Sequence, residues 1–464
     1  MSEEASVAVD PVVVPVSPVA GRVELWLWVY LLSFALDYRA EEARADGGGG
    51  AGIDQLVFLG MAGLSTLVIL WHGWRFLIIR PGAWLILLWS GFLTFMLANA
   101  FVQGVNPGHS LRIILPLFLC LAGICNAHIA GCVGIRPSRI VAPVFVAACT
   151  NIVWRIAQGF LFKGVQLDTV RVEVQSSANN WLAGWIACCV LLRRGFDWRL
   201  PVGFGILFTG IFITITRSLL FPVIAGGFAA SLCYLIGRFW GIFQFRELPR
   251  RLMPLGAVAG IGLVALGGVA AVAPTMIERW NERLFHHASD RNVKSDISYL
   301  TRRAEADAIL HILNKDPVHY VNGKGIGASY YWDPAYMAEI HQVFPADMEL
   351  GYDVWFGGHS LWTNSLFSGG VIGVSAYLLL LGGTMTISLR AARANATDPG
   401  PDQWLAFLPF VAVFCLVSES FTSNPFDERL AAIIFGVMAG LSQSFMVRAS
   451  WIHASARLPQ PAVS

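Results

Sequence analysis

The chain predicts an all-α, polytopic integral membrane protein of about twelve transmembrane helices with one long loop outside the bilayer. Three observations carry that prediction. Of 464 residues, 56% are hydrophobic and only 13% charged, with a mean hydropathy of +0.60; a soluble chain carries roughly 25% charged residues. Apolar runs of the length a bilayer requires, about 20 residues, recur along the chain. Arginines collect in alternate connections, the asymmetry that orients helices in a membrane. No basic block suited to nucleic acid is present, and the net charge of +2 says little about partners.

Residues 1–22 read as a disordered cytoplasmic tail. The first twenty, MSEEASVAVDPVVVPVSPVA, are acidic, rich in Pro and Val, and lack the basic start of a cleaved signal. Nine candidate helices follow within 23–273, at 23–38, 53–71, 82–102, 111–127, 139–157, 179–193, 200–216, 218–237 and 252–273. The first is short, and the pair meeting at Thr216–Ser218 has almost no linker. Residues 274–359 form the long loop. Three more candidates, 361–388, 403–420 and 429–447, lie within 360–447, and a second cytoplasmic tail closes the chain at 448–464.

The connections orient the count. With a cytoplasmic N-terminus, one set carries Arg75 and Arg80, Arg136 and Arg139, Arg193, Arg194 and Arg199, then Arg238, Arg246, Arg250 and Arg251, then Arg390 and Arg393. The other short connections hold Arg39 and Arg44 offset by Glu41, Glu42 and Asp46, and Lys163 and Arg171 offset by Asp168 and Glu173. Positive charge favours the cytoplasmic side. Both termini are therefore expected in the cytoplasm and 274–359 outside. An odd number of spans would break the pattern.

Within the loop, Ile297, Leu300, Ala304, Ala308 and Ile312 fall three to four apart, one face of a helix over 296–315. Asp296 is placed to cap it and Asp316-Pro317 to stop it. VNGKGIGASYYW at 321–332 is a glycine-rich turn that permits close backbone approach. Its GKGIG follows no strand and lacks a Lys-Ser/Thr ending, so it is not read as a nucleotide loop. Loops of this length are uncommon unless functional.

Several residues carry candidate chemistry. His359, flanked by glycines where the loop runs into an apolar helix, can exchange a proton near neutral pH; it can equally anchor a helix end. Arg217 lies in the apolar run FTGIFITITRSLLFPVIAGG, where a charge costs on the order of 3 kcal/mol at bilayer centre and calls for a compensating role; the alternative is a snorkelling residue at a tight turn. Arg302 and Arg303 suit phosphate oxygens, although with Glu305 and Asp307 nearby they also fit the solvated face of a helix. Glu419 sits near the end of the eleventh candidate, placed to orient a cation or to cap its loop. The carboxylates Asp333, Glu339, Asp347, Glu349 and Asp353 match no specific metal or glycosidase spacing. The eight cysteines fall in or beside apolar segments and read as small buried hydrophobes, with neither disulfide framework nor zinc spacing. Arg217, Arg302 and His359 all belong to the expected outer face, where cationic groups point to an anionic headgroup such as a lipid diphosphate.

Four stretches resemble the O-antigen ligase and polymerase family, over roughly residues 179–390. SSANNWLAGWIACCVLL at 176–192, with Asn179 and Asn180, resembles the family's Asn-then-small-residue opening of a mid-chain span. TITRSLLFPVIAG at 214–226 resembles its Thr/Ser-Arg-Ser/Gly element, and TRRAEADAILHILNKDPVHYVNGKGIG at 301–327 its Arg, helix, Pro, Gly-x-Gly pattern. GGHSLWTNSLFSGGVIG at 357–373 resembles its histidine motif, with Gly370 and Gly373 as the following pair. Ser360, Ser368 and Ala306 stand where the family often has Asn, Glu and Trp, and two extra residues separate Pro317 from the Gly-x-Gly.

The resemblance implies a GT-C-like membrane glycosyltransferase in a bacterial inner membrane, its active site facing the periplasm. It implies transfer of a glycan from an undecaprenyl-diphosphate carrier to a sugar hydroxyl, on the lipid A core for a ligase or on a growing glycan for a polymerase. Surface polysaccharide, either O-antigen or exopolysaccharide, would be the product. Arg217 and Arg302 would hold the diphosphate and His359 would orient or deprotonate the acceptor, with Arg303, Asn179, Asn180 and Glu419 as further binding residues. No metal and no cofactor are implied, since arginines would neutralise the diphosphate. A transporter or flippase for the same lipid-linked glycan is the alternative; it predicts mid-membrane carboxylates or cationic residues through the whole bilayer. A structural partner in envelope assembly is a third reading, which silent substitutions at Arg217, Arg302 and His359 would favour.

Overall fold

The computed structural model describes residues 17–38, 53–78, 83–162, 174–214, 217–272, 274–281, 297–336, 338, 354–396 and 400–455. These residues are almost wholly helical. The chain runs α1 (Ala20–Leu32), α2 (Ile53–Gly73), α3 (Ala83–Val102), α4 (Pro107–Cys132), α5 (Pro137–Ala157), α6 (Ala178–Leu191), α7 (Arg199–Thr214), α8 (Leu220–Phe239), α9 (Leu248–Val272) and α10 (Pro274–Asn281). After these come α11 (Ile297–Lys315), α12 (His319–Asn322), α13 (Leu361–Ala394), α14 (Leu408–Ser420) and α15 (Arg429–Ser455). Among the described residues no strand forms, and Tyr330 and Trp355 make an isolated antiparallel bridge.

Nine helical stretches among the described residues are long and apolar enough to cross a membrane. The other three expected positions hold shorter helices, of 13 residues in α1, 14 in α6 and 16 in α7. At 1.5 Å per residue these are shorter than the roughly 30 Å of a hydrocarbon core. Large apolar side chains such as Leu67, Leu87, Ile224, Leu263 and Leu378 remain exposed, the surface expected of helices facing lipid.

α15 is the axis of the bundle. Its apolar stretch within Arg429–Ser450 is almost entirely buried, and it pairs most extensively with α4. The pairing is close because Gly436 and Gly440 bring α15 against main-chain carbonyls of Cys120 and Ile124; small residues let helices approach where lipid supplies no hydrophobic drive between them. α6, α8 and α14 form a second packed group beside it. Gly184 and Gly226 both meet the Cys415 sulfur there. All eight cysteines are buried and free, as small apolar packing residues.

The expected single helix 361–388 is α13, but it is broken. Gly370 takes φ 62° and ψ −155°, a region open essentially to glycine alone. The break exposes the carbonyls of Phe367 and Ser368, which the glycine turn then satisfies: Lys324 N donates to Phe367 O at 2.7 Å and Gly325 N to Ser368 O at 3.1 Å. Asn99 Nδ2 donates to Asn322 O at 2.6 Å, and Ser110 Oγ to Ile326 O at 2.8 Å. The turn 321–327 is thus stitched to α3, α4 and α13 together. A Cβ at Gly327 would lie 2.6 Å from Ser110 N, so the close approach read from the sequence is realised.

Candidate functional site

The site is built around the loop helix α11. Leu300, Ala304, Ala308, Ile309 and Leu313 are its buried face, packed on Tyr330, Trp332 and Phe367. The anticipated stripe is kept at Leu300, Ala304 and Ala308; Ile312 is only partly buried, and Asp296 lies outside the described residues. Lys315 ends the helix before Asp316-Pro317, as the sequence predicts.

Glu305 does not belong to a solvated face. It is 2% exposed, next to Ala304 at the buried edge of α11. Its carboxylate accepts from the main-chain N of His359 at 2.9 and 3.0 Å and meets His359 Nδ1 at 2.6 Å. Thr363 Oγ1 adds a donor at 3.3 Å. Three donors converging on one buried carboxylate offset the cost of removing it from water. The contact also fixes the imidazole: a carboxylate this close to Nδ1 requires the proton between them, so Nε2 is the ring nitrogen left to the surroundings. The His359 side chain is 39% exposed, and Trp332 and Trp355 flank it at 6.0 and 5.6 Å between ring centres. These two indoles stack on each other at 4.8 Å. Tyr330 Oη donates to Gly357 O at 2.6 Å, and burial together with the Glu305 carboxylate holds the Tyr330 phenol well above its ordinary range.

The next element of the candidate site is the turn after α14. Arg302 Nη2 donates to Thr422 O at 2.8 Å, one helical turn before Glu305 on α11. Leu361 N donates to Ser423 O at 3.3 Å, Ser360 Oγ to Ser420 O at 3.3 Å and Trp362 Nε1 to Ser420 Oγ at 3.0 Å. The 420–423 turn therefore holds both Arg302 and the start of α13. Ser360 also caps α13 through Trp362 N. Arg303 points elsewhere: it is exposed, 3.6 Å from Asp307 and 5.6 Å from the centre of the Tyr336 ring. The hydrogen bond to Asp307 raises the Tyr336 phenol.

Glu419 is buried on the last turn of α14, and neither carboxylate oxygen makes a hydrogen bond among the described residues. Asn179 and Asn180 are buried at the start of α6, and their Oδ1 atoms are likewise without a hydrogen bond there. A Cβ at Gly210 would lie 2.8 Å from Asn179 Oδ1, which turns Asn179 toward α7. The two regions are joined by Glu428, which accepts from Ser177 N at 3.0 Å and pairs with buried Arg155 at 3.1 Å. Arg217 opens a short 3₁₀ turn, Arg217–Leu219, ahead of α8, and its side chain lies outside the described part of the structure. Asp333 is described, its carboxylate accepting from Ala335 N at 2.9 Å. Glu339, Asp347, Glu349 and Asp353 lie outside the described residues.

The structure thus brings Arg302 and His359 to one turn and seats Glu419 at its base. Sequence reasoning missed Glu305, Trp332, Trp355 and the Arg155–Glu428 pair. The helical register of α11 offered one signal, since Glu305 adjoins Ala304 on the apolar stripe. Compared with protein-family models and with curated proteins, the chain gives no match.

Proposed function

We propose that the protein is a membrane glycosyltransferase of the O-antigen ligase or polymerase type. It moves a glycan from an undecaprenyl-diphosphate carrier in the inner membrane to a sugar hydroxyl outside it. The observation that carries this reading is the Glu305–His359 pair, a buried carboxylate on Nδ1 of a half-exposed histidine, set where a loop meets a membrane helix.

The chemistry follows from the pair. Glu305 holds the Nδ1–H tautomer and stabilises the imidazolium once it forms, as a carboxylate does behind a general-base histidine. His359 Nε2 takes the proton of the acceptor hydroxyl as its oxygen attacks the anomeric carbon. The bond from that carbon to the diphosphate oxygen breaks, and the electron pair leaves with the diphosphate. A single displacement of this kind inverts the anomeric centre. Arg302, held at the same turn, and Arg217 bind the diphosphate and stabilise its developing charge. Twelve membrane passes with both termini in the cytoplasm complete the proposal and put His359 on the periplasmic side.

The test is transfer by purified protein in lipid, supplied with a polyprenyl-diphosphate glycan and either lipid A core or the donor alone. A ladder from donor alone marks a polymerase; a single glycan-capped lipid A marks a ligase. An intact donor across a panel of sugars, with uptake in vesicles, would replace this reading with transport.

A further inference from the structure

α14 carries the His359 site at its C-terminal end. At its other end the described residues line a second, separate feature, a partly open cavity of ≈ 390 Å³. Four arginines line it: Arg193 and Arg194 after α6, Arg199 at the start of α7 and Arg251 in α9. Trp185, Phe243 and Trp404 supply the aromatic part of its wall.

The charges are arranged asymmetrically. Asp197 pairs with Arg193 and with Arg199 at 2.9 Å. Glu247 pairs with Arg194 at 3.3 Å and Arg251 at 2.7 Å. Each carboxylate thus bridges two guanidiniums, and neither carboxylate lines the cavity. Asp402 is the acid that does, and its Oδ2 is engaged by Ser138 N at 3.3 Å and Ser138 Oγ at 2.8 Å. Four cations and one anion therefore face the space. Arg251 is 4% exposed, fixed by Leu192 O at 2.5 Å and lying over the Phe243 ring at 4.8 Å. Its buried Nε has no hydrogen-bond partner among the described residues. A buried donor of this kind is costly to leave unmet.

We propose that this cavity binds a phosphate-bearing anion. Guanidinium forks match phosphate oxygens and keep their charge at every relevant pH. The volume falls in the range of ligand sites, about 300–1,000 Å³. Basic pockets between helices at a membrane surface take lipid head groups, and the aromatic wall suits the glycerol and first methylenes of a lipid. A free phosphate offers the same chemistry without the apolar part. The site is separate from the transfer reaction, being at the far end of α14 from His359.

The experiment uses the full chain in phosphatidylcholine nanodiscs. Phosphatidylglycerol and inorganic phosphate are titrated in separate arms, and retained ligand is counted by native mass spectrometry. One bound ligand per chain is expected, weakened about tenfold for each guanidinium removed in Arg194→Gln and Arg199→Gln. Asp402→Asn keeps an acceptor for Ser138 and removes the facing negative charge, so it is expected to tighten binding several-fold, a gain that misfolding cannot produce. That pattern with phosphatidylglycerol identifies a lipid site, and with phosphate alone a site for a soluble anion. Equal retention by the protein and all three variants, or none in either arm, overturns the proposal.

Discussion

The hydrogen bond between Glu305 and His359 Nδ1 joins residues 54 apart in sequence and makes one chemical unit of them. Two consequences follow at this scale. Glu305→Gln keeps an acceptor for the His359 main chain but loses the charge that favours an imidazolium. Under the proposed mechanism it is expected to lower kcat by about 10²-fold or more with little change in KM, read in the transfer assay. His359→Ala is expected to abolish transfer while the protein still inserts and purifies; retained turnover would end the general-base assignment. The arginines separate in the same way. Arg302→Ala is expected to impair transfer severely, whereas Arg303, in an exposed ion pair worth about 0–1 kcal/mol, is expected to tolerate Ala. The opposite ranking would shift the functional register by one residue. By sequence alone Arg302 and Arg303 are neighbours of the same type; the structure separates them, with Arg302 donating to the Thr422 carbonyl and Arg303 in an exposed pair with Asp307. The sequence leaves a solvated face open for Arg302 and Arg303 because the charge of Glu305 is weighed there without its partner. A carboxylate on an apolar edge becomes intelligible only when three donors meet it.

Elements were legible where they answer to a period or a breaker. The loop helix, its stop at Lys315 and the glycine turn all follow from local rules. The break in α13 does not, because Gly369-Gly370 reads equally well as small residues within a continuous span. What decides it is the 321–327 turn, whose N–H groups take over the carbonyls the break releases. Gly370→Ala is expected to cost at least about 1–3 kcal/mol from backbone strain alone, with the Val321 carbonyl obstructing the new methyl. Thermal unfolding of purified protein measures this, and unchanged stability would mean that the break is not maintained. The buried Arg155–Glu428 pair ties α5 to the turn before α15 and to the start of α6. Glu428→Ala leaves Arg155 uncompensated and is expected to destabilise by about 3–5 kcal/mol, against which Arg303→Ala is a matched surface control.

At the scale of the molecule, the orientation is open to direct measurement, because all eight native cysteines are buried and give little background. Tyr331, 58% exposed, adjoins Trp332 of the His359 site, and Phe196, 65% exposed, lies between Arg194 and Arg199 of the cavity at the other end of α14. With a membrane-impermeant thiol reagent on intact cells, Tyr331→Cys is expected to label and Phe196→Cys to label only after permeabilisation. The reverse pattern would invert the topology and remove the proposed periplasmic site. By itself the sequence determined the all-helical, membrane-embedded class, the position of each long apolar helix and the pairing of a loop histidine with loop arginines as candidate chemistry. Those depend on composition, periodicity and local breakers, which act over a few residues. Only the tertiary structure decided that Glu305 is buried against His359, that α13 breaks at Gly370, and that arginines from two connections line one cavity. Each of these is a meeting of groups far apart in sequence, fixed by where a buried charge or a released carbonyl finds its partner.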